Sequence, residues 1–208
     1  MKNDIVAGVI LGAVFGTAVV GTGYHGLISA RDREISFLRT EYFIAQGLAQ
    51  VAVRTAEHSA DIAETYAREA VTLRRERTIA RLATYINRMN PKAPSMRIAS
   101  AIVASAETNG LDIRWWAAQV EEESHFNPRA VSRVGARGLA QIMPATAKEL
   151  DLPWEHAFDI EANLEAGARY MAIHRRNMGY SLALVRYSGG EPDYEVRIRK
   201  RLRRMGNF

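Results

Sequence analysis

Residues 121–147 read EEESHFNPRAVSRVGARGLAQIMPATA, and this stretch decides the local fold. Upstream of it, Trp116 and Val120 lie four residues apart, at the spacing of one buried helix face. Pro128 cannot continue that helix, and Pro144 suits the first turn of the next one. We therefore predict a helix, a glycine-containing loop and a second helix, with three acidic residues where the first helix ends.

The three consecutive glutamates fall on different sides of this first helix. At about 100° per residue, Glu123 lies beside Trp116 at the end of the apolar stripe, whereas Glu121 and Glu122 lie off it. A carboxyl at that place is partly removed from water, which raises its pKa and suits a general acid at neutral pH. Glu123 is thus the candidate acid, with a structural glutamate as the alternative. We expect Glu121 and Glu122 to be solvated and tolerant of substitution.

Two later segments extend the pattern: residues 163–170 read NLEAGARY and residues 184–190 read LVRYSGG. Together with residues 121–147 they resemble the soluble lytic transglycosylase family, whose pattern is E-S-x-F-x-P-x-A-x-S followed by G-A-x-G-L-x-Q-x-M-P-x-T-A. Met171 stands where that family usually has Leu, and Ser188 where it usually has Asn. The resemblance covers about residues 95–204, and several ordered motifs indicate far more than one short motif does.

The resemblance implies a lysozyme-like fold and a peptidoglycan substrate. It implies that Glu123 protonates the glycosidic oxygen between N-acetylmuramic acid and N-acetylglucosamine, then takes the proton of the muramoyl 6-hydroxyl as a 1,6-anhydro ring closes. Asp159 and Glu161 lie near a helix start, where capping explains them, so the sequence offers no second carboxylate of a two-acid glycosidase. The substrate-binding positions that the resemblance implies are Ser124, Gly138, Leu139, Gln141, Met143, Tyr170, Tyr187 and Ser188.

Each of these positions also has a purely structural interpretation. Ser124 can cap a helix end, and Gly138 can serve a tight turn. Met143 can fill a core, and Tyr170 and Tyr187 can be buried tyrosines with bonded hydroxyls.

The N-terminal segment is apolar. Residues 5–23 are nineteen residues without a charge, which is enough for a helix to cross a hydrocarbon core of about 30 Å. We predict a membrane anchor over residues 1–30, with a cleaved signal peptide as the alternative. Gly8, Gly12 and Gly16 lie four residues apart, and such a row of small residues predicts self-association of the anchor.

Residues 31–92 predict a long amphipathic helical stalk, because they contain many good helix formers and no proline before Pro91. Such a helix cannot bury its apolar stripe alone, so we expect a partner helix or subunit. Residues 93–208 predict a compact all-α domain, in which Ser95 and Asp112 act as N-caps. The predicted fold class is all-α throughout.

Charge and composition exclude several kinds of site. Residues 195–208 carry six basic side chains against Glu195, which equals the net charge of +5 of the whole chain. This tail either attracts an anionic wall or membrane, or it is the solvated face of a helix that packs through Val196, Leu202 and Met205. The chain has no cysteine and no histidine spacing typical of metal ligands, so we expect no metal and no cofactor.

The leading hypothesis is a membrane-anchored peptidoglycan lytic transglycosylase that opens the cell wall locally. A phage virion protein acting at genome entry fits this architecture, and so does a secretion or conjugation machine. A channel or assembly component with accessory lytic activity and a lysozyme-type hydrolase are the alternatives. The expected partners are glycan strands, the membrane through residues 5–23, and a second copy or assembly partner through anchor and stalk. No specific nucleic-acid binding is expected.

Overall fold

The computed structural model describes residues 30–206, and this part of the chain is helical. Its α-helices are α1 (Ala30–Met89), α2 (Ser95–Asn109), α3 (Ile113–Ser124), α4 (Pro144–Glu149), α5 (Ile160–Tyr187) and α6 (Tyr194–Met205), with a short 3₁₀ turn at Trp154–His156. No strand occurs between residues 30 and 206, where extended pairing is limited to isolated bridges that Arg137 makes with Val131 and Ile142. The described residues thus agree with the all-α prediction.

No helix between residues 30 and 206 has an apolar stretch long enough to cross a membrane. The anchor predicted at residues 5–23 and its glycine row lie outside the described residues.

The chain divides into two compact units, residues 1–65 and residues 66–208. In the first unit, the described residues belong to α1, and every side chain over residues 31–65 is exposed. In the second unit, α1 contributes its last turns to a helical core. Leu82 and Ile86 are fully buried there, and Tyr85 is 4% exposed. The core of the second unit therefore begins before residue 93, the predicted start of the domain. Ile79, Leu82 and Ile86 are spaced by three and four residues, so they lie on the one face of α1 that packs into this core.

The centre of this core is formed where α2 and α5 pack together and α3 packs against α6. Its large side chains are almost wholly removed from water: Trp116, Phe126, Leu82, Ile86, Ile98, Ile102, Leu139, Ile142, Leu164, Met171, Leu184 and Ile198. Met171 thus fills the core position where the resembling family usually has Leu, which is a tolerated exchange of similar volume.

The predicted helix ends are mostly confirmed. The Asp112 side chain accepts hydrogen bonds from the backbone of Arg114 and Trp115, and it caps α3 as predicted. Gly110 takes the left-handed conformation that ends α2, with φ of 63°. The prediction for Ser95 was wrong: α2 begins at this residue, and Pro94 is its N-cap without a side-chain bond.

Two further features of α5 and α6 follow from local geometry. Gly179 interrupts α5 with φ of 79° and ψ of 174°, so this element consists of two helical pieces, as the sequence predicts. In α6, Tyr194, Ile198 and Met205 are buried, whereas Val196 is 61% exposed. The expected inward position of Val196 was wrong, because it lies about 200° around the helix from Tyr194.

Candidate functional site

Glu123 lies in the last turn of α3, where its carboxylate is partly buried and accepts a hydrogen bond from the Tyr194 hydroxyl. Burial raises the pKa of Glu123 to about 7, against a usual value of 4.5. The negative charges of Glu122 and Glu191 act in the same direction, while the Tyr194 hydrogen bond and the Arg197 charge oppose it. A carboxyl with this pKa is half protonated at neutral pH, so it can both give and accept a proton there.

The chain turns sharply immediately after α3. His125 and Phe126 take left-handed conformations with φ of 51° and 58°, which is unfavourable for residues with a Cβ. The Asn90 amide donates to both of their carbonyls at 3.3 Å, and the Phe126 ring is fully buried, edge-on to Tyr85. The end of α1 thus holds the turn that follows Glu123.

Two tyrosines from different parts of the chain are close enough to the Glu123 carboxylate for its charge to act on their hydroxyls. Tyr187 ends α5, and Tyr194 is the first residue of α6. Burial raises the pKa of each phenol well above its ordinary value, and the charge of Glu123 adds to this effect. Both phenols therefore stay protonated and act as hydrogen-bond donors. The Tyr187 hydroxyl donates to the Ala140 carbonyl at 2.8 Å, and the ring centroids of Tyr187 and Tyr170 are 5.5 Å apart.

A buried asparagine on α5 anchors the loop between α3 and α4. Asn163 is 1% exposed; it accepts from the Ala140 backbone and donates to the carbonyls of Arg137 and Ala157. Gly138 takes φ of 79°, and a Cβ there would lie 2.4 Å from both the Ala157 carbonyl oxygen and the Asn163 amide nitrogen. Gly138 is therefore explained by a tight turn against Asn163.

One turn later, Gly167 keeps α5 close to this loop. A Cβ at Gly167 would lie 2.5 Å from the Ala140 Cβ, 2.9 Å from the Trp116 ring and 3.1 Å from the Tyr187 hydroxyl. One face of α5 carries Asn163, Gly167 and Tyr170, which are spaced by four and three residues. On this face, Asn163 binds the loop, Gly167 leaves room for the loop to approach, and Tyr170 contacts Tyr187.

The side chains of two predicted substrate-binding residues are engaged within the protein. Leu139 is 1% exposed and belongs to the core. The Ser124 hydroxyl donates to the Val120 carbonyl at 3.0 Å and is buried. The side chains of Leu139 and Ser124 therefore serve the fold, and these two residues could bind a ligand only through their backbone groups.

The remaining predicted residues are accessible in part. Gln141 takes a left-handed φ of 48° and donates to the Gly138 carbonyl at 2.9 Å. Met143 is 37% exposed at the start of α4. The Ser188 hydroxyl donates to the Val185 carbonyl and accepts from the Glu191 backbone, so it closes the turn after α5.

The expectation that Glu121 is solvated was wrong. Glu121 is 1% exposed and accepts hydrogen bonds from Tyr85 at 2.7 Å, from Arg201 at 2.9 Å and from Arg204. Its side of α3, off the stripe that Trp116 defines, is covered by α6 and by the end of α1. The helical angle gave the correct direction for Glu121, but the sequence pattern does not show that another helix packs there.

Glu122 is engaged by the same basic helix. It accepts from Arg197 at 2.6 Å and from Arg201, while Arg197 also binds Glu191. Burial alone would raise the pKa of Glu122, but the hydrogen bonds from Arg201 and Arg197 outweigh it, and the pKa is lowered. The expectation that Glu122 is a simple solvated residue was therefore wrong as well.

Four arginines of the basic tail form ion pairs and therefore do not simply face water, while attraction of the tail to an anionic wall or membrane stays a prediction. Arg197, Arg201 and Arg204 bind the acids of α3, and Arg199 binds Glu195 within α6. The first three arginines hold α6 on α3, whereas the Arg199 pair lies within α6. Lys200 and Arg203 are exposed.

Tyr194 is the site residue that the sequence reasoning missed. It lies 71 residues after Glu123, immediately before the basic tail of residues 195–208. The available signal was its spacing of four from Ile198, which places both on the inner face of α6. In residues 30–206, no group of histidine and acidic side chains could hold a metal ion.

One protein family and several individual proteins are similar to this chain. The transglycosylase SLT domain family matches residues 100–204, just over half of the chain. The "Transglycosylase" of Enterobacteria phage PRD1 is 44% identical over 88 residues, which is 42% of this chain and 32% of the phage protein. The "Membrane-bound lytic murein transglycosylase F" of Desulfosudis oleivorans is 38% identical over 76 residues, which is 36% of this chain and 16% of that protein.

The matched segments thus cover a third or less of the length of these two relatives. Among solved structures, an inactive mutant of the lytic transglycosylase Slt from Pseudomonas aeruginosa is 27% identical. That match covers 49% of this chain and 17% of the other, with a TM-score of 0.40.

Proposed function

The chain belongs to the transglycosylase SLT domain family, and we propose that it is a peptidoglycan lytic transglycosylase with Glu123 as its single acid and base. The observation that carries this proposal is the environment of Glu123: a partly buried carboxyl with a pKa of about 7 that accepts a hydrogen bond from Tyr194. The names of the phage and bacterial relatives support the same reaction.

In the proposed reaction, Glu123 begins protonated. It donates its proton to the glycosidic oxygen between N-acetylmuramic acid and N-acetylglucosamine as the bond from that oxygen to muramoyl C1 breaks. The carboxylate then takes the proton of the muramoyl 6-hydroxyl, whose oxygen forms the new bond to C1. The products are a 1,6-anhydromuramoyl end and a free 4-hydroxyl on N-acetylglucosamine, and no water is consumed. Glu123 ends protonated, ready for the next cut.

The arrangement of neighbouring acids favours this route over a two-carboxylate hydrolase. Glu121, Glu122 and Glu191 all accept hydrogen bonds from arginines. A nucleophile or a water-activating base needs a carboxylate that faces the sugar, and these three are engaged with α6 instead. The attacking group is then supplied by the substrate's own hydroxyl.

We propose that the predicted binding residues act according to their accessibility. The sugar site would be lined by Gln141, Met143 and the Tyr170–Tyr187 pair. Ser188 would lie at its edge, in the turn after α5. The backbone of Gly138 and Leu139 would bind sugar or peptide, because the Leu139 side chain is buried. Ser124 would act only by fixing the end of α3 beside Glu123.

The products of digestion test the reaction type. Purified sacculi treated with the enzyme are analysed by mass spectrometry, with Glu123→Gln as the blank. We expect 1,6-anhydro ends and no new reducing ends. Products that are each heavier by one water than the 1,6-anhydro products would instead identify a lysozyme-type hydrolase. If the wild type and Glu123→Gln release products at equal rates, Glu123 has no part in the mechanism.

For the biological setting, we propose a membrane anchor at residues 5–23 and local wall opening by a phage virion at genome entry. The uncharged length of the segment and the phage relative support this setting. The alternative is a channel or assembly component with accessory lytic activity, in a phage or a secretion machine. Detection of the chain in purified particles, and its copy number per particle, distinguishes them: few copies fit an enzyme, and a ring of many copies fits a channel.

A further inference from the structure

Helix α1 leaves an unusual amount of apolar side chain in water. Every residue over 31–77 is exposed. The large apolar side chains among them include Phe37, Leu38, Tyr42, Phe43, Leu48, Val53, Tyr66, Val71 and Leu73, each at least 56% exposed. A single helix cannot bury such residues by itself, and a partner that covers them would be stabilised by the hydrophobic effect.

A seven-residue repeat runs through this helix without a skipped position. With Ile35 as position a and Leu38 as position d, the repeat reaches Leu73. The a and d positions are Ile35, Leu38, Tyr42, Ala45, Ala49, Ala52, Ala56, Ser59, Ala63, Tyr66, Ala70 and Leu73. None of these twelve residues is charged, although charged residues occupy the sequence on both sides of them. This uncharged series is the α1 seam.

The competing repeat on the other side of the helix is interrupted by charge. It starts at Phe37 and continues through Ile44 and Val51, but it also contains Glu41 and Glu69. Burying unpaired carboxylates between two helices is costly, so this second repeat cannot form a continuous seam.

Within the second unit, the structure separates the seam from the face of α1 that packs on the domain. Ile79, Leu82 and Ile86 belong to the core, and they occupy positions c and f of the repeat. Ala80 and Thr84, at later d and a positions, are exposed, and so is Arg77, the charged residue at the a position between Leu73 and Ala80. The side of the helix that carries the seam therefore stays accessible where the opposite side is already buried.

Charges beside the seam select both the partner and its direction. In a parallel, in-register pair of identical helices, position g of one chain lies next to position e of the other, five residues further along. Two such pairs along the α1 seam are complementary, Glu34 with Arg39 and Glu69 with Arg74, and a third, Glu76 with Arg81, lies just beyond its end. In an antiparallel pair, g would face g and e would face e, so that glutamates would meet glutamates and arginines would meet arginines.

We propose that α1 pairs with a second copy of this chain as a parallel, in-register two-stranded coiled coil through the α1 seam. The occupant is a second copy because the complementary charges are produced by the same sequence at the same register. The many alanines bury less apolar surface than leucines would, so the coiled coil depends on its flanking ion pairs as well as on its seam. This inference does not depend on the catalytic role of Glu123.

Single cysteines test the register, because the natural chain has none. Ala45→Cys and Ala63→Cys are made separately in the full chain, purified in detergent and oxidised mildly. These positions are 18 residues apart, about 27 Å along a helix, and a disulfide needs Cα atoms within about 7 Å. A parallel, in-register pair cross-links at both positions, whereas an antiparallel pair can bring at most one of them face to face.

Arg54→Cys is the matched control, since it lies at position f, away from the seam. We expect Ala45→Cys and Ala63→Cys to cross-link at least about fivefold faster than Arg54→Cys, on the geometric requirement for a disulfide. Equal rates for all three variants, cross-linking at one seam position alone, or no cross-linked dimer would each overturn the proposal.

Charge reversal supplies an independent test. Glu69→Arg places like charges at a g–e′ contact on both sides of the dimer, and we expect about a tenfold weaker association in sedimentation equilibrium. The double variant Glu69→Arg with Arg74→Glu restores opposite charges and should restore association. Residues five apart do not contact each other within one helix, so rescue can act only between chains. Absence of rescue would overturn the parallel register.

Lytic activity is measured on the same preparations. Because the seam variants leave Glu123 and its neighbours unchanged, their activity per chain on solubilised glycan should match that of the unmodified protein. Retained activity without cross-linking would overturn the coiled coil alone, and cross-linking in a protein that never cleaves glycan would overturn the proposed reaction alone.

Discussion

Glu122 and Glu123 are neighbours in α3, yet the two sides of this helix end give their carboxyls opposite properties. On one side, Arg201 and Arg197 bind Glu122 and lower its pKa in spite of its burial. On the other side, Glu123 is buried against the neutral hydroxyl of Tyr194, and its pKa rises to about 7. A turn of about 100° around one helix thus separates a structural carboxylate from a candidate general acid.

The difference shows what the basic helix α6 does at this site. Its arginines satisfy Glu121 and Glu122, and these ion pairs hold the helix whose first residue, Tyr194, contacts Glu123. The guanidinium groups are directed at the two structural acids, so the third acid keeps a proton near neutral pH.

The largest expected effect comes from removing the acid itself. Glu123→Gln should lower wall lysis by about 10²–10⁴-fold, the usual contribution of general acid–base catalysis. Turbidity loss of purified sacculi measures the rate. Glu122→Gln is the matched control, one residue earlier, and should keep most of the activity. Wild-type-like lysis by Glu123→Gln would contradict the contrast between the two sides of α3.

The next effect concerns stability. Glu121→Gln should destabilise the domain by about 3 kcal/mol, because it leaves Arg201 and Arg204 without the buried carboxylate that they share with Tyr85. Urea unfolding followed by circular dichroism gives the free energy of unfolding. Glu107→Gln is the control, since its ion pair with Arg75 is exposed and should contribute less than about 1 kcal/mol. Equal losses in both variants would mean that Glu121 is no more than a surface acid.

The pH dependence of stability should separate Glu123 from its glutamine variant. The native state binds more protons than the unfolded state between pH 4.5 and about 7, because the pKa of Glu123 is raised in the native protein. Wild-type stability contributed by this group therefore falls as pH rises through that window. At pH 8, Glu123→Gln should be more stable than the wild type by about 3 kcal/mol, and at pH 4 the two should be alike.

Thermal or urea unfolding at both pH values checks this prediction. If the difference between wild type and variant is the same at pH 4 and pH 8, the raised pKa of Glu123 is refuted.

The smallest expected effect comes from the Tyr194 hydroxyl. Its hydrogen bond lowers the pKa of Glu123, so Tyr194→Phe should raise that pKa further. Since the reaction starts from protonated Glu123, the alkaline limb of the kcat/KM profile should move to higher pH by less than about one unit. Tyr180→Phe is the control: the Tyr180 ring contacts Trp115, and removing its hydroxyl should leave the alkaline limb in place. If the alkaline limb is unchanged in Tyr194→Phe, the Tyr194 hydroxyl does not affect the pKa of Glu123.

Several parts of the site could be predicted from sequence because their cause is local. The partly buried position of Glu123 in the last turn of α3 follows from the helical repeat, and the cap at Asp112 follows from side-chain chemistry two and three residues away. The break at Gly179 follows from the freedom of glycine. Each of these interactions spans only a few residues, so the linear pattern contains all the information required.

The role of Glu121 could not be predicted in this way. Its partners are Tyr85, 36 residues earlier, and Arg201 and Arg204, 80 and 83 residues later. The helical angle indicates that Glu121 points away from the Trp116 stripe, but it contains no information on whether water or another helix lies there. The same reason explains why Tyr194 was missed.

Helix α1 shows the same division along its length. From the sequence, residues 31–92 were predicted as one amphipathic stalk, and this range includes Ile35, Leu38, Leu82 and Ile86. Burial separates them, because Leu82 and Ile86 enter the core while Ile35 and Leu38 remain exposed. Once the core-facing residues are set aside, an uncharged heptad runs through α1 from Ile35 to Leu73, while Leu48 and Val51 lie outside it.

The sequence by itself determined the all-helical class of the described chain, the helix ends set by local caps and glycines, and the choice of Glu123 among three adjacent acids. Only the tertiary structure decided that Glu121 and Glu122 are bound by α6, that Tyr194 meets Glu123, and that the last turns of α1 belong to the core. The physical reason is the range of the interactions: helix periodicity and capping act over about four residues, whereas ion pairs and core contacts depend on which distant segments meet in space.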